Sequence, residues 1–123
     1  MKKHNLNLIK NKYSEKELEE NVRFFDGIDW VWISFAQNLS ESFIDKYLDK
    51  LDWYRISCLQ DLSEKFIEKY YDNIYWDGIA RFQKLSDSFI EKHKDKLNVN
   101  YLMKNDKVSE KIKKEINLLK EII

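Results

Sequence analysis

Few side chains in this sequence are equipped for covalent or metal chemistry. His4 and His93 are the only histidines and Cys58 the only cysteine. His93 stands where the equivalent positions hold Tyr47 and Tyr70, which predicts a packed ring rather than a ligand. A thiol nucleophile needs a base beside it, and the sequence singles out none for Cys58; a free surface thiol is expected. Asp49 and Asp52 have the composition of a glycosidase dyad, yet helix capping and pairing between helices account for both carboxylates. Gly-rich phosphate loops, nucleophile elbows and zinc-ligand spacings do not occur. The expected protein is not an enzyme and implies no cofactor and no metal. What remains is recognition chemistry, carried by Trp, Tyr, Phe and Arg.

The elements that must position those residues follow from composition. The chain has 123 residues, of which 43% are hydrophobic, 15% aromatic and 36% charged, enough for one packed domain and too apolar for disorder. Twenty-two Lys and Arg balance 22 Asp and Glu, so the uniform basic field of a nonspecific nucleic-acid binder is missing. No Pro and two Gly argue against sandwiches and barrels, which consume turn residues. Helices are left. One Cys rules out an internal disulfide framework, and no apolar stretch reaches the 18 residues of a membrane span. The first ten residues lack the apolar run of a secretion signal, and a cytoplasmic protein is expected.

A 23-residue period organises the sequence, which is the first thing to establish because a missed period misassigns the fold. Leu39-Ser40-Glu41-Ser42-Phe43-Ile44-Asp45-Lys46-Tyr47 recurs as Leu62-Ser63-Glu64-Lys65-Phe66-Ile67-Glu68-Lys69-Tyr70 and as Leu85-Ser86-Asp87-Ser88-Phe89-Ile90-Glu91-Lys92-His93. Val108-Ser109-Glu110 opens a decayed copy. Trp30, Trp53, Trp76 and Val99 keep the same step, as do Ile33, Ile56, Ile79 and Leu102, and Gln37, Gln60 and Gln83. The expected fold is all-α, a short α-solenoid of helix-turn-helix hairpins. Its units cover about 14–38, 39–61, 62–84 and 85–107, and a C-terminal capping helix covers 108–123. Residues 1–12 read as a loose lead-in to a single repeat domain over 13–123.

Within a unit, Ser40, Ser63 and Ser86 are placed to cap the first helix, with Leu39 and Ile44, Leu62 and Ile67, or Leu85 and Ile90 as hydrophobic staples. Asp29, Asp52 and Asn98 are the expected caps of the second helices, with staples from Ile28, Leu51 and Leu97. Tyr75 breaks that series. In the first unit Ser14 and Glu17 form a capping box, and Gly27 reads as the left-handed residue that ends its helix. In the last helix Ile112, Ile116, Leu119 and Ile123 share a side. Trp30, Trp53 and Trp76 are expected in the core, and the three Gln as buried amides that satisfy loop backbone. The alternating acidic and basic residues of the first helices are expected to pair with neighbouring helices and fix register.

Comparison among units separates positions the scaffold dictates from those it leaves free. In the second helices the first, fourth, fifth and eighth places repeat and cluster within one arc at roughly 100° per residue. The second, third and sixth places lie opposite and vary: Val31, Trp32 and Phe35; Tyr54, Arg55 and Cys58; Asp77, Gly78 and Arg81; Asn100, Tyr101 and Lys104. That row is the candidate partner-binding surface, with Trp32, Phe35, Tyr54, Arg55, Arg81 and Tyr101 as anchors, the residue types that dominate interface energies. Two blander readings stay open: residues 1–12 cover Trp32 and Phe35, or the row is a self-association face.

The segment LSESFIDKYLDKLDWYRIS and its successors resemble short tandem repeats in proteins of large DNA viruses and some phages, whose units read roughly LSExFIxKYxDKxDWxxIS. The likeness covers residues 39–101 well and 14–38 in part; Tyr75 and Gly78 depart from it, and the last copy lacks the Trp. It implies a helical-hairpin repeat and carries no catalytic residues with it. The expected function is a non-enzymatic module that binds another protein, a viral or phage protein that sterically inhibits a host defence factor. The alternative is a helical repeat whose varied side chains read RNA or other nucleic acid.

Overall fold

A computed structural model describes residues 4–122, and among these the chain is all-helical, with nine α-helices, one 3₁₀ turn and no strand. Contacts divide it into two compact units, Met1–Gln60 and Asp61–Ile123. The first holds α1 (Glu15–Asn21), the 3₁₀ turn Val22–Phe24, α2 (Gly27–Ala36), α3 (Glu41–Lys46) and α4 (Trp53–Leu59). The second holds α5 (Glu64–Lys69), α6 (Trp76–Phe82), α7 (Asp87–Lys92), α8 (Val99–Lys104) and α9 (Glu110–Ile122).

Helices of six or seven residues do not persist alone, so each is fixed at its start and buried along one side. The Ser40, Ser63 and Ser86 hydroxyls each accept the N–H three residues on, from Phe43, Phe66 and Phe89, all at 3.1 Å. Each helix then ends in the same turn. The carbonyls of Tyr47, Tyr70 and His93 accept the N–H groups three and four residues later, which swings the chain into the second helix. Leu39, Phe43, Ile44 and Leu51 are buried in one repeat, Leu62, Phe66, Ile67 and Ile74 in the next, and Leu85, Phe89, Ile90 and Leu97 in the third. The staple residues of the first helices therefore lie in the core.

Second helices pack side by side, α2 on α4 in the first unit and α6 on α8 in the second. Repeat-to-repeat packing of helical hairpins is the solenoid-like arrangement the period predicts, and it recurs inside each unit. Asp52 and Asn98 cap as expected, accepting from the N–H of Arg55 at 3.1 Å and Asn100 at 2.8 Å. Tyr75 makes no side-chain capping bond. Trp30 is buried, and the indoles of Trp53 and Trp76 donate to the carbonyls of Leu48 and Tyr71 at 3.0 and 3.2 Å.

The buried glutamines lock these layers. Gln60 Nε2 donates to the carbonyls of Ser34 and Gln37 at 3.0 and 2.7 Å, and its Oε1 accepts the Leu39 N–H at 3.0 Å. Gln37 grips the lead-in in the same way: Nε2 donates to the carbonyls of Leu8 and Asn11, both at 2.7 Å, and Oε1 accepts the Tyr13 N–H at 2.9 Å. In the second unit Gln83 Oε1 accepts from Leu62, and Asn105 Nδ2 donates to the carbonyls of Ala80 and Gln83. Asn105 stands one place earlier than the period predicts, because α8 is one residue shorter than α4 and α6. No buried side-chain nitrogen or oxygen among the described residues lacks a partner.

Several expectations are corrected. Gly27 does not end a helix; it opens α2 with no positive φ. Asp26 is the cap, in a reciprocal box with Asp29 (2.8 and 3.0 Å), which places Asp29 inside the helix and leaves Ile28 exposed rather than stapled. An aspartate that can both cap and close a box outcompetes a C-terminal glycine signal. Leu119 is exposed although Ile112 and Ile116 are buried, and Ile123 lies outside the described residues. Residues 4–12, read as a lead-in, are tied down at Leu8, which is buried, and by Lys12 Nζ, which donates to the Ala36 carbonyl.

Candidate functional site

In the first unit the varied places of α2 and α4 form a small organised surface. Trp32 and Phe35, one helical turn apart, meet edge to face with centroids 5.4 Å apart, and both are half-buried. The Arg55 guanidinium lies 5.9 Å from the Phe35 centroid and donates to Asp52 Oδ2 at 2.6 Å. Asp52 thus caps α4 with one oxygen and fixes Arg55 with the other. Tyr54, beside it in sequence, is 54% exposed. A cation held over a ring and tethered by a carboxylate loses little side-chain freedom on binding.

The lead-in borders this surface. Trp32 lines a shallow hollow with Asn5, Leu6, Asn7, Leu8, Ile9 and Asp29. His4 Nδ1 accepts the Leu6 N–H at 3.0 Å, which leaves the ring proton on Nε2, 3.0 Å from Asp29 Oδ2. The segment is thereby fixed to the first turn of α2, and its path beside Trp32 is set.

The two remaining anchors belong to the second unit. Arg81, half-buried on α6, stacks over Phe82 with 4.7 Å to the centroid. Tyr101 is exposed on α8. The variable row is not uniformly outward: Gly78 and Cys58 are buried. Cys58 is therefore not the surface thiol expected, and burial raises its pKa, with a hydrogen bond from Tyr54 and the charge of Arg55 opposing. Thiolate chemistry is suppressed there. The seventh place supplies exposed apolar groups that the comparison of units passed over, Leu59 and Phe82. Their signal was available: both follow the buried arc in helices one residue longer than α8.

Other clusters serve packing. His93 is buried against Trp76 and Phe89, at 5.3 and 4.5 Å between centroids, and its Nε2 lies 2.9 Å from Glu68 Oε2. Lys92 reaches the same oxygen at 2.7 Å, and these two hydrogen bonds lower the Glu68 pKa. Lys46 and Glu19 make the corresponding bridge in the first unit at 2.8 Å. These are the register-setting pairs between helices expected from the charge pattern. An open hollow lined by Asp61, Ser63, Glu64, Lys84 and Lys107 carries both signs of charge and no convergent set of donors. No group of three potential metal ligands occurs among the described residues, and none of their helices is long and apolar enough to cross a membrane. Comparison of the chain with protein-family models, curated proteins and solved structures finds no match.

Proposed function

We propose that this chain is a non-enzymatic protein-binding module whose aromatic and arginine side chains on the second helices contact another protein. The observation that carries the reading is the Trp32, Phe35, Arg55 and Asp52 arrangement, with Tyr54 projecting beside it. Trp32, Phe35, Tyr54 and Arg55 vary between repeats, so the scaffold does not require them, and aromatic and arginine side chains are the types that concentrate binding energy. Arg81 and Tyr101 supply the same chemistry on the second unit.

The likeness of the 23-residue unit to repeats of large DNA viruses and phages supports a setting in the cytoplasm of an infected host. There the partner is a host factor, such as a defence protein, and inhibition is steric. A rigid helical face occupies the partner's working surface and no bond is made or broken.

Combined Trp32→Ala, Tyr54→Ala and Arg55→Ala substitution tests the reading, with helical circular dichroism confirming the fold. At least a tenfold loss of partner capture from host lysate is expected, since one hot-spot side chain alone contributes about 2 kcal/mol or more. Undiminished capture by the folded variant refutes the assignment. Binding of single-stranded RNA at low salt that collapses steeply as salt rises would replace it with the nucleic-acid alternative.

A further inference from the structure

We infer that residues 4–13 are a pared-down second helix standing in the place of a preceding repeat, and that Ile9 on it is a further residue of the partner-binding face. The placement of the segment rests on its hydrogen bonds; the role of Ile9 rests also on the protein-binding reading proposed above.

The amide of Gln60 takes the carbonyls of Ser34 and Gln37 and the N–H of Leu39. Gln37 takes the same three groups of the lead-in at the same intervals, the carbonyls of Leu8 and Asn11 and the N–H of Tyr13. The local backbone matches as well. Asn11 N–H donates to the Asn7 carbonyl at 3.1 Å, as Gln37 N–H donates to that of Ile33 at 3.4 Å. Leu8 thereby aligns with Ser34, Ser57 and Ala80, and all four are buried. His4 meets Asp29 in the first turn of α2 and Asn11 meets Gln37 at its end, so the segment follows α2 along its length. The step from Asn11 to Gln37 is 26 residues and that from Gln37 to Gln60 is 23. The difference matches the three-residue 3₁₀ turn Val22–Phe24, which has no counterpart among the described later repeats. That shift hides the partial repeat from a search at fixed period.

In this register Leu6 and Ile9 take the third and sixth places, those of Trp32 and Phe35 one layer on. Ile9 is 54% exposed. The hold on the segment passes through its main chain, the buried Leu8 and the Lys12 contact, and not through Ile9. Ile9 and Trp32 line one hollow, so the varied row continues from α2 onto the lead-in. A lone exposed aliphatic side chain is ordinary; one that extends a patch of aromatic anchors enlarges the area a partner desolvates.

The occupant is the protein bound at Trp32, Tyr54 and Arg55, on grounds of continuity, and it enters the hollow with an uncharged side chain. Asp29, the one carboxylate among the lining residues, already accepts the Asp26 N–H and lies 3.0 Å from His4 Nε2. Asn7 Oδ1 accepts the Lys10 N–H. These groups leave little to call for a cation.

Two measurements separate placement from recognition. Hydrogen exchange of the free chain reads placement: the Asn11 and Tyr13 amides should exchange at least about tenfold more slowly than in the unfolded chain, as those of Gln37 and Leu39 do. Unprotected Asn11 and Tyr13 amides in the folded chain overturn the inference. For recognition the probe is the host-lysate protein that the wild-type chain captures and the combined Trp32, Tyr54 and Arg55 variant does not. Ile9→Asp and Ile9→Ser should each cut its capture at least about fivefold with unchanged helical circular dichroism, whereas Lys16→Ala, at an exposed place on α1, leaves it unchanged. A photo-crosslinking analogue installed at Ile9 should join to that protein, and one at Lys16 should not. Full capture by the Ile9 variants, or no crosslink from position 9, overturns the inference and leaves the Trp32 face standing. If no lysate protein depends on Trp32, Tyr54 and Arg55, the protein-binding reading falls and the role of Ile9 falls with it.

Discussion

A single buried amide does the work of a loop's worth of side chains in this protein. Gln60 satisfies two carbonyls of the preceding layer, at Ser34 and Gln37, and the N–H of Leu39 where its own repeat begins, and a side chain with one acceptor and two donors is the only uncharged type that can do so at that reach. Gln60→Ala strands those groups, and each buried unpaired group costs about 1–3 kcal/mol. Urea unfolding should show a loss of at least about 2 kcal/mol, against a change within about 0.5 kcal/mol for the exposed Lys50→Ala. Stability indistinguishable from wild type would mean that water replaces the amide. The ion pairs belong to another class. Lys92 and the buried His93 meet one carboxylate oxygen of Glu68, and the Lys92–Glu68 ion pair lies at the surface, where it sets register more than it stabilises.

Helix starts were the most legible part of the sequence, and their exceptions show why. Ser before an acidic residue, with Leu one place earlier and Ile four later, read correctly at Ser40, Ser63 and Ser86 because all three signals are local. Gly27 misled because its meaning depends on what competes nearby: Asp26 and Asp29 cap each other and draw the glycine into α2. Cys58 misled because variation between units was taken as exposure, whereas small side chains at Cys58 and Gly78 vary inside the packing. The α2 and α4 cluster was legible as residue types and not as contacts, since pairing Arg55 with Phe35 depends on how two helices lie together. Tyr75 departs from the capping pattern and, as expected, makes no capping bond at α6. Tyr75→Asp should therefore stabilise the protein by about 0.5–2 kcal/mol, read as a raised urea midpoint with unchanged m-value; no gain would show that α6 needs no cap.

Balanced charge governs the molecule as a whole. With an isoelectric point near 6.7, colloidal repulsion vanishes close to neutrality, and solubility in polyethylene glycol should pass through a minimum there and rise on both sides. A minimum displaced by more than about one pH unit would indicate that patches, rather than net charge, control association. The grip of Gln37 on the carbonyls of Leu8 and Asn11 has a different reach. Main-chain oxygens are anonymous: any residue can own them, so this part of the hold on residues 8–13 is indifferent to spelling, unlike the buried Leu8 side chain and the Lys12 contact to Ala36. A change of length between Leu8 and Tyr13, or a proline at Tyr13, whose N–H the same amide receives, would break that hold even with every side chain of the first layer kept.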